Sequence, residues 1–571
     1  MTGRSPLKWP CLPAAAIGRP GWPPALRQLS RYNTERSEEH QLSASYDSYT
    51  QEFMENHKIA KAASIVGLST LLSRIAGLVR DQVTAYFFGS SYVADAFFVA
   101  FRIPNLLRRL LGEGALTVAF VPVFTKTMED GGRDSAGRLF RSTLTLLAMT
   151  LLVICALGVI FAPQVVTLIA PGFKRDPELF STTVFLARIL FPYIFFMGIG
   201  ALFMGALNSS GRFAAPALGA FVGNISMIAG AIILSPRLEM PILGLAAGAM
   251  AGGALQLAIQ LPSLRRAGLS LRPGFDFRCP GIKKILLLMG PAAFGAAVYQ
   301  ISVFINTILG STLPEGSISW LYYADRLMQF PLGIFTMAIS TAALPALARQ
   351  SARGDTEGFI SSARFALGLS FFITVPAMAG LITLAHPLIS ALFQRGQFNQ
   401  ASVDGTALAL RAFAVGLPFL SGAGILARIF YSRANTKTPT MVAAGSLVIG
   451  TISAWILMGK FDHVGLAMGS AISSLTNFFW LYTLLLKSDK GFPGWAMAAE
   501  VFSYFLMAAV MGAAVWPLAA WADASAAFWP LAVKTLLAVS SGVGIYIILS
   551  VITRRPHVAP VTAIIRRKLK R

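Results

Sequence analysis

Acidic residues are scarce in this chain: Asp and Glu together number 25 against 48 Lys and Arg, and charged residues of all kinds make up only 13% of 571. An ordinary soluble domain is about 25% charged, so a water-facing surface over most of the length is excluded. Cysteine is rarer still. Cys11, Cys155 and Cys279 lie far apart, which excludes a disulfide framework. The five histidines, His40, His57, His386, His463 and His557, are scattered without ligand spacing, so no metal site is expected. Nucleotide-loop and nucleophile-elbow patterns (GxxxxGK[ST], GxSxG) are absent, and no paired acids are expected at the membrane face. Catalysis is not expected, no cofactor is called for, and no soluble segment is large enough to house an ATP motor.

What the chain has is apolar sequence: 55% hydrophobic residues and a mean hydropathy of +0.64. Apolar stretches recur from residue 59 almost to the C-terminus, and at about 20 residues each they can cross roughly 30 Å of hydrocarbon. The fold class expected is an all-α polytopic membrane protein of about fourteen spans. The net charge of +23 does not mark a nucleic-acid binder, because its distribution is periodic. Basic residues collect in alternate loops: Lys126 to Arg141, Arg265 to Lys284, Arg349 and Arg353, Arg433 and Lys437, Lys487 and Lys490, then the tail from Arg554. The intervening loops hold only Lys174, Arg175, Arg237, Arg395 and Lys460. That bias orients helical membrane proteins with basic loops inside. It places both termini in the cytoplasm and requires an even number of spans.

Residues 1–56 are richer in Pro, Trp, Ser and charge, and their longest apolar run is interrupted by Pro13, so a signal peptide is not expected. Two readings stand for this segment: a disordered cytoplasmic tail, or a translation start at Met54.

An internal repeat organises the rest. FRIPNLLRRLLGEGALTVAFVPVFTK places Arg102 20 residues before Pro122, and DRLMQFPLGIFTMAISTAALPALARQ places Arg326 19 residues before Pro345. A second pair opens at Pro192 and Pro418, and aligning Pro216 with Pro439 superposes Ser209 on Ser432. The copies recur an even number of spans apart, so they share an orientation, as in carriers with parallel repeats. The expected layout is an N-lobe over 57–265 (helices 1–6) and a basic linker over 266–283. A C-lobe over 284–488 (helices 7–12) follows, then two further helices over 489–553 and a basic tail over 554–571. Gly290-Pro291 is the first hinge candidate, followed by Pro331 and Pro376; Gly244, Gly248 and Gly252 form a stripe suited to close helix packing.

Charge inside the spans carries the functional signal. Arg74 and Arg80 lie within 59–88, Arg108 in the next apolar stretch and Arg326 within 318–347. A charge at mid-bilayer costs about 2.5–3.5 kcal/mol on insertion scales, so such residues line a wet cavity, pair with acids or bind an anion. Arginine's planar fork suits pyrophosphate oxygens. Arg80 points about 120° from Arg74 around the helix, so one can face a cavity while the other pairs with Asp81 or Asp95. For Arg102, Arg109, Arg188 and Arg364 the expected role is structural pairing or snorkelling.

The runs SRIAGLVRD (73–81), ADAFFVAFRIPNLLRRLLGEGALTVAFVPVF (94–124) and SWLYYADRLMQFPLGIF (319–335) resemble the MurJ (MviN) lipid II flippases of the multidrug/oligosaccharidyl-lipid/polysaccharide exporter superfamily. APGF (170–173), FPYI (191–194), FQRGQF (393–398) and YSRANTKTP (431–439) extend the resemblance over 57–555. It implies two six-helix lobes around a cationic cavity, in a bacterial cytoplasmic membrane protein serving cell-wall synthesis. The cargo would be lipid-linked peptidoglycan precursor, moved from the inner to the outer leaflet by alternating access. It further implies functional charges at Arg74, Arg80, Asp95, Arg108 and Arg326, with Asp81, Glu113 and Asp325 as supporting charges. The two extra helices would help form a groove for the polyprenyl tail. The implied partners are lipid II and membrane lipids, with a coupling ion left open; a monomer is expected. From the residues alone, two other cargoes stay open: a different polyprenyl-pyrophosphate-linked glycan, and an organic cation as in the drug exporters of the superfamily.

Overall fold

The computed structural model describes residues 64, 66–107, 116–489, 491–523, 527–555 and 557. Two compact units divide the chain, Met1–Leu68 and Ser69–Arg571. The first is described only at residues 64 and 66–68, which are helical; all that follows concerns the second. Among the described residues every regular element is a helix. In chain order they are α1 (69–88), α2 (Tyr92–Leu107), α3 (Thr117–Ile160), α4 (Ala162–Ile169), α5 (Pro177–Leu190), α6 (Tyr193–Ser209), α7 (Ala214–Ala229), α8 (Ile242–Ala258) and α9 (Leu261–Arg266). Then come α10 (Pro280–Gly310), α11 (Ser317–Pro331), α12 (Met337–Ala352), α13 (Thr356–Thr383), α14 (Ala385–Phe393), α15 (Gln400–Tyr431), α16 (Lys437–Ser488), α17 (Gly494–Asp523) and α18 (Phe528–Ile552).

Ten helical stretches among the described residues are long and apolar enough to cross a membrane. Two are too long for a single straight crossing. The 44 residues of α3 are broken at Gly132 (φ 70°), and the 52 of α16 at Asp462 (φ 47°). A continuous 52-residue helix would run about 78 Å, more than twice the hydrocarbon thickness. Helix starts follow local chemistry: Asp176 accepts hydrogen bonds from the backbone N–H groups of Glu178 and Leu179 ahead of Pro177, and Asp355 and Asn399 cap α13 and α15 in the same way. The expected hinge at Gly290-Pro291 is not a break, because α10 is helical throughout. At Pro331 the helix does change, widening into a π-turn over Leu332–Thr336 before α12.

The glycine stripe of α8 does what its spacing suggests. A Cβ on Gly248 would fall 2.7 Å from the Ser226 carbonyl oxygen of α7, and one on Gly252 3.0 Å from that of Gly223, so the two helices meet backbone to backbone. Buried apolar side chains form two clusters. The larger joins α1–α8 to α11, α14 and the start of α15, with Phe120, Phe124, Phe140 and Phe203 at its centre. The other joins α13, α15, α16, α17 and α18 around Phe371, Phe478 and Tyr504.

A polar tie fastens the end of α17 to α14 and the start of α15. His386, on the short helix α14, places Nδ1 2.9 Å from Asp523 and Nε2 3.2 Å from Asp404. The hydrogen bond to Asp523 leads the effects that raise the His386 pKa above its usual 6.5, against an opposing desolvation. A raised folded-state pKa means stabilisation that is complete below about 6.5 and is lost as pH climbs through the folded value. Wild-type protein is therefore expected to lose thermal stability as pH rises above about 6.5 through the raised folded value, by no more than about 1 kcal/mol for partly exposed pairs. His386→Gln should flatten that pH dependence in thermal unfolding scans.

Candidate functional site

Three helices bring charge together inside the bundle. α1 supplies Arg74, Arg80 and Asp81, α7 supplies Asn224, and α11 supplies Tyr322, Asp325 and Arg326. Asp81 is the hub. Its Oδ1 accepts from Arg80 Nη2 at 2.7 Å and from the Tyr322 hydroxyl at 3.0 Å, while Oδ2 accepts from Arg326 Nε at 2.9 Å. The carboxylate side chain is 2% exposed, Arg80 13% and Arg326 37%. Both arginines also donate to the Tyr322 oxygen at 3.2 Å, and Tyr322 stacks on Phe98 with ring centroids 4.0 Å apart. Arg80 Nη1 donates to Asn224 Oδ1 at 2.9 Å, and Asn224 in turn donates to the Ser73 carbonyl. One carboxylate thus neutralises one of two arginines, and the pair keeps a surplus positive charge.

Arg74 points another way. A Cβ added to Gly333, in the π-turn, would collide with the Arg74 guanidinium, so the missing side chain at 333 is what makes room for the cation. Among the described residues no acid lies within ion-pair distance of Arg74. The π-turn is itself fixed by a chain of hydroxyls: Thr336 Oγ1 lies 2.6 Å from Ser421 Oγ, which lies 2.6 Å from Ser370 Oγ.

These groups line one end of a cavity of about 1370 Å³. Ser73, Arg74, Arg80, Asp81, Asp325 and Arg326 form its polar end; an apolar arm runs between α13, α17 and α18 past Phe372, Pro376, Met511, Val515, Val539 and Val543. Among the described residues, three arginines and two carboxylates line the cavity, in walls whose low polarity leaves their field poorly screened. Such a chamber accepts an amphiphile with an anionic head and a long hydrocarbon tail.

The end of the bundle away from the basic loops is closed by contacts between α1–α2 and the α11 and α15 region. Asp95 Oδ2 accepts the Gly316 N–H at 2.8 Å, and Oδ1 accepts the Ser319 N–H at 2.8 Å and the Ser319 hydroxyl. It caps α11 from a distant helix, taking over orphan donors that α11's own sequence does not serve. Ser90 and Ser402 hydroxyls meet at 2.6 Å, Glu315 accepts the Tyr92 N–H at 2.7 Å, and Tyr86 O accepts the Gln397 N–H at 2.9 Å. Gly89 (φ 57°) packs against the Gln397 carbonyl so closely that any side chain there would clash.

Of the charges singled out in the sequence, Arg74, Arg80, Asp81, Asp325 and Arg326 line the cavity, whereas Asp95 serves the closed end. Arg108 and Glu113 lie outside the described residues, as does Arg109. Arg102 donates to Thr307, and Arg364 pairs with Glu500 at 3.2 Å, in keeping with structural roles. Sequence reading passed over Tyr322, Asn224 and Gly333. Tyr322 sits four residues before Arg326, hence on its face, and Asn224 is a lone amide in an apolar helix, the kind of residue that bridges membrane helices.

A polytopic helical protein with a head-and-tail chamber, closed at one end, belongs to the class of membrane carriers of amphiphilic anions. Comparison with known proteins narrows the class. The family model described as lipid II flippase MurJ matches residues 84–529. The chain is 36% identical over 432 residues to the lipid II flippase MurJ of Burkholderia cenocepacia, covering 75% of this chain and 84% of that protein. It is 38% identical over 436 residues to the probable lipid II flippase MurJ of Vibrio cholerae, covering 74% and 82%. A solved structure of lipid II flippase MurJ in an inward closed conformation superposes with a TM-score of 0.73 at 27% identity, covering 86% of this chain and 98% of that one. An inward-facing multidrug resistance transporter of the MATE family (TM-score 0.62, 16% identity, 73% and 96% covered) shares the fold. The chain belongs to the MurJ family of lipid II flippases.

Gly333→Ala tests the seat of Arg74. The clashing atoms are the far end of a flexible side chain, so the fold should lose less than about 1 kcal/mol, measured by thermal unfolding. Transport should fall several-fold as the guanidinium is displaced.

Proposed function

We propose that this protein carries lipid II from the inner to the outer leaflet of the cytoplasmic membrane by alternating access, with the cationic end of the cavity holding the pyrophosphate and the apolar arm the polyprenyl chain. It is a transporter acting in peptidoglycan synthesis. The observation that carries the reading is the single chamber in which Arg74, Arg80 and Arg326 stand at one end and the α13–α17–α18 wall at the other. Moving a pyrophosphate-linked disaccharide peptide through bare hydrocarbon is prohibitive. The arginines replace its lost water with charge-assisted hydrogen bonds.

Asp81 sets the order of events. With no cargo it holds Arg80 and Arg326 together; an arriving pyrophosphate offers two or more oxygens in place of one carboxylate, and Arg326, the more exposed partner, exchanges first. Arg326 then grips cargo instead of Asp81, and the tie from α11 to α1 passes through the headgroup. Arg108, singled out in the sequence with the other in-span arginines and lying outside the described residues, would complete the anion shell. Asp325 and Glu113 are supporting charges.

Reading the breaks at Gly132 and Asp462 as turns between spans, and α2 with the start of α3 as one span, supports about fourteen crossings. The lobes are then 57–265 and 284–488, and both termini are cytoplasmic by the basic-loop bias. On that topology the closed end, built on Asp95 and Gly316, faces outward and cargo enters from the cytoplasmic leaflet. The protein works as a monomer.

The deciding experiment expresses this chain in cells depleted of their own flippase and adds a lipid II hydrolase from outside. Wild type should restore cleavage of the lipid II pool, and Arg326→Ala at equal abundance should lose most of it, since a charge-assisted contact of about 1.5–3 kcal/mol is removed. No cleavage with abundant wild type would overturn the cargo assignment; full cleavage with both Arg326→Ala and Arg74→Ala would overturn the role of the cavity.

A further inference from the structure

We propose that the segment 268–284, the link after α9 together with the first turn of α10, is an interfacial anchor that seats on anionic lipid headgroups. Its sequence, GLSLRPGFDFRCPGIKK, sets Arg272, Arg278, Lys283 and Lys284 against the single acid Asp276, with Arg265 and Arg266 just before it. The structure holds it down from beneath: Leu269 and Ile282 are buried, and the Gly274 N–H donates to Thr145 Oγ1 of α3 at 2.9 Å. A Cβ on Gly274 would lie 2.9 Å from the Ser142 backbone nitrogen, so the strap lies flat on α3 at this point.

That contact fixes depth. Met149, one helical turn or about 6 Å beyond Thr145, is the first exposed large apolar residue of the lipid-facing run that continues through Leu152 and Val153. On α10 the exposed apolar run starts at Leu286, directly after Lys283 and Lys284. The strap therefore lies at the level where hydrocarbon gives way to headgroups. There it turns outward Phe275, which is 71% exposed, with Leu271 and Phe277; the Phe275 and Phe277 rings meet edge to face at 6.2 Å. Bulky apolar side chains among cations at that depth are the composition of a segment that lies in the interface plane and is held by anionic lipid. Arg265, Arg266, Arg272, Arg278, Lys283 and Lys284 are all exposed, with no ion pair among the described residues.

The test uses the full chain in liposomes, with Cys11→Ser, Cys155→Ala and Cys279→Ser as background and a nitroxide label on Phe275→Cys in place of the ring. Accessibility to oxygen, which dissolves in lipid, is compared with accessibility to a water-soluble nickel chelate. A label on Met149→Cys in the same background gives the lipid-immersed value and reports that the fold is intact. Adding phosphatidylglycerol to phosphatidylcholine should raise the oxygen-to-nickel ratio at 275 several-fold, and Gln at 272, 278, 283 and 284 together should abolish the rise. A label that stays nickel-accessible in both vesicle types, as for a face kept for a protein partner, overturns the proposal. A label immersed equally in both also overturns it, because the cations then take no part.

Discussion

The arrangement depends on one carboxylate shared by two arginines. Asp81 lies almost wholly out of solvent between Arg80 on its own helix and Arg326 on α11. Removing one member of a buried ionic set leaves uncompensated charge at a cost of about 3–5 kcal/mol, so the trio is a strong constraint on how α1 and α11 can sit. It is also unbalanced. Perfect neutralisation would make a stable but inert wall, whereas a surplus cation in a poorly screened chamber leaves an unmet demand for an anion. Arg74, packed over Gly333, adds to that demand without adding an acid.

The closed end is built on a different principle. Its bonds are single hydrogen bonds rather than ion pairs: serine to serine, backbone to backbone, and the carboxylates of Asp95 and Glu315 accepting from backbone N–H groups and one hydroxyl. The neutral ones are each worth about 0.5–1.5 kcal/mol net and those to a carboxylate about 1.5–3, and each can be returned to water when the contact opens. A carrier that cycles needs such a closure, firm as a set and cheap bond by bond. The charged hub, whose bonds are dear to break, lines the cavity instead.

Much of this was legible in the chain because membrane solvent makes charge anomalous. Arg74, Arg80 and Arg326 stood out against apolar runs, and the helical class followed from run length. The glycine stripe of α8 was readable from spacing alone, since small residues every fourth position leave few packing alternatives. The partners were not readable. Arg80 meets Asn224 across 144 positions and Asp81 meets Tyr322 across 241, and a single sequence carries no signal for the register of one helix against another. Gly290-Pro291 carried the usual marks of a hinge, yet α10 runs straight through it; a proline removes one N–H, and the flanking hydrogen bonds suffice to propagate the helix. The irregular turn came instead after Pro331, next to the arginine that the cavity uses.

That π-turn has a geometric consequence. Spending one more residue than an α-turn puts the faces of α11 and α12 about 100° out of phase with an unbroken helix. Arg326 looks into the chamber, which Met337 at the start of α12 also lines, while Thr341 one turn further on is exposed. The Thr336–Ser421–Ser370 hydroxyl chain holds that offset in place. Leu332–Thr336 thus works as a fixed angular coupling between the helix that carries the arginine and the start of α12.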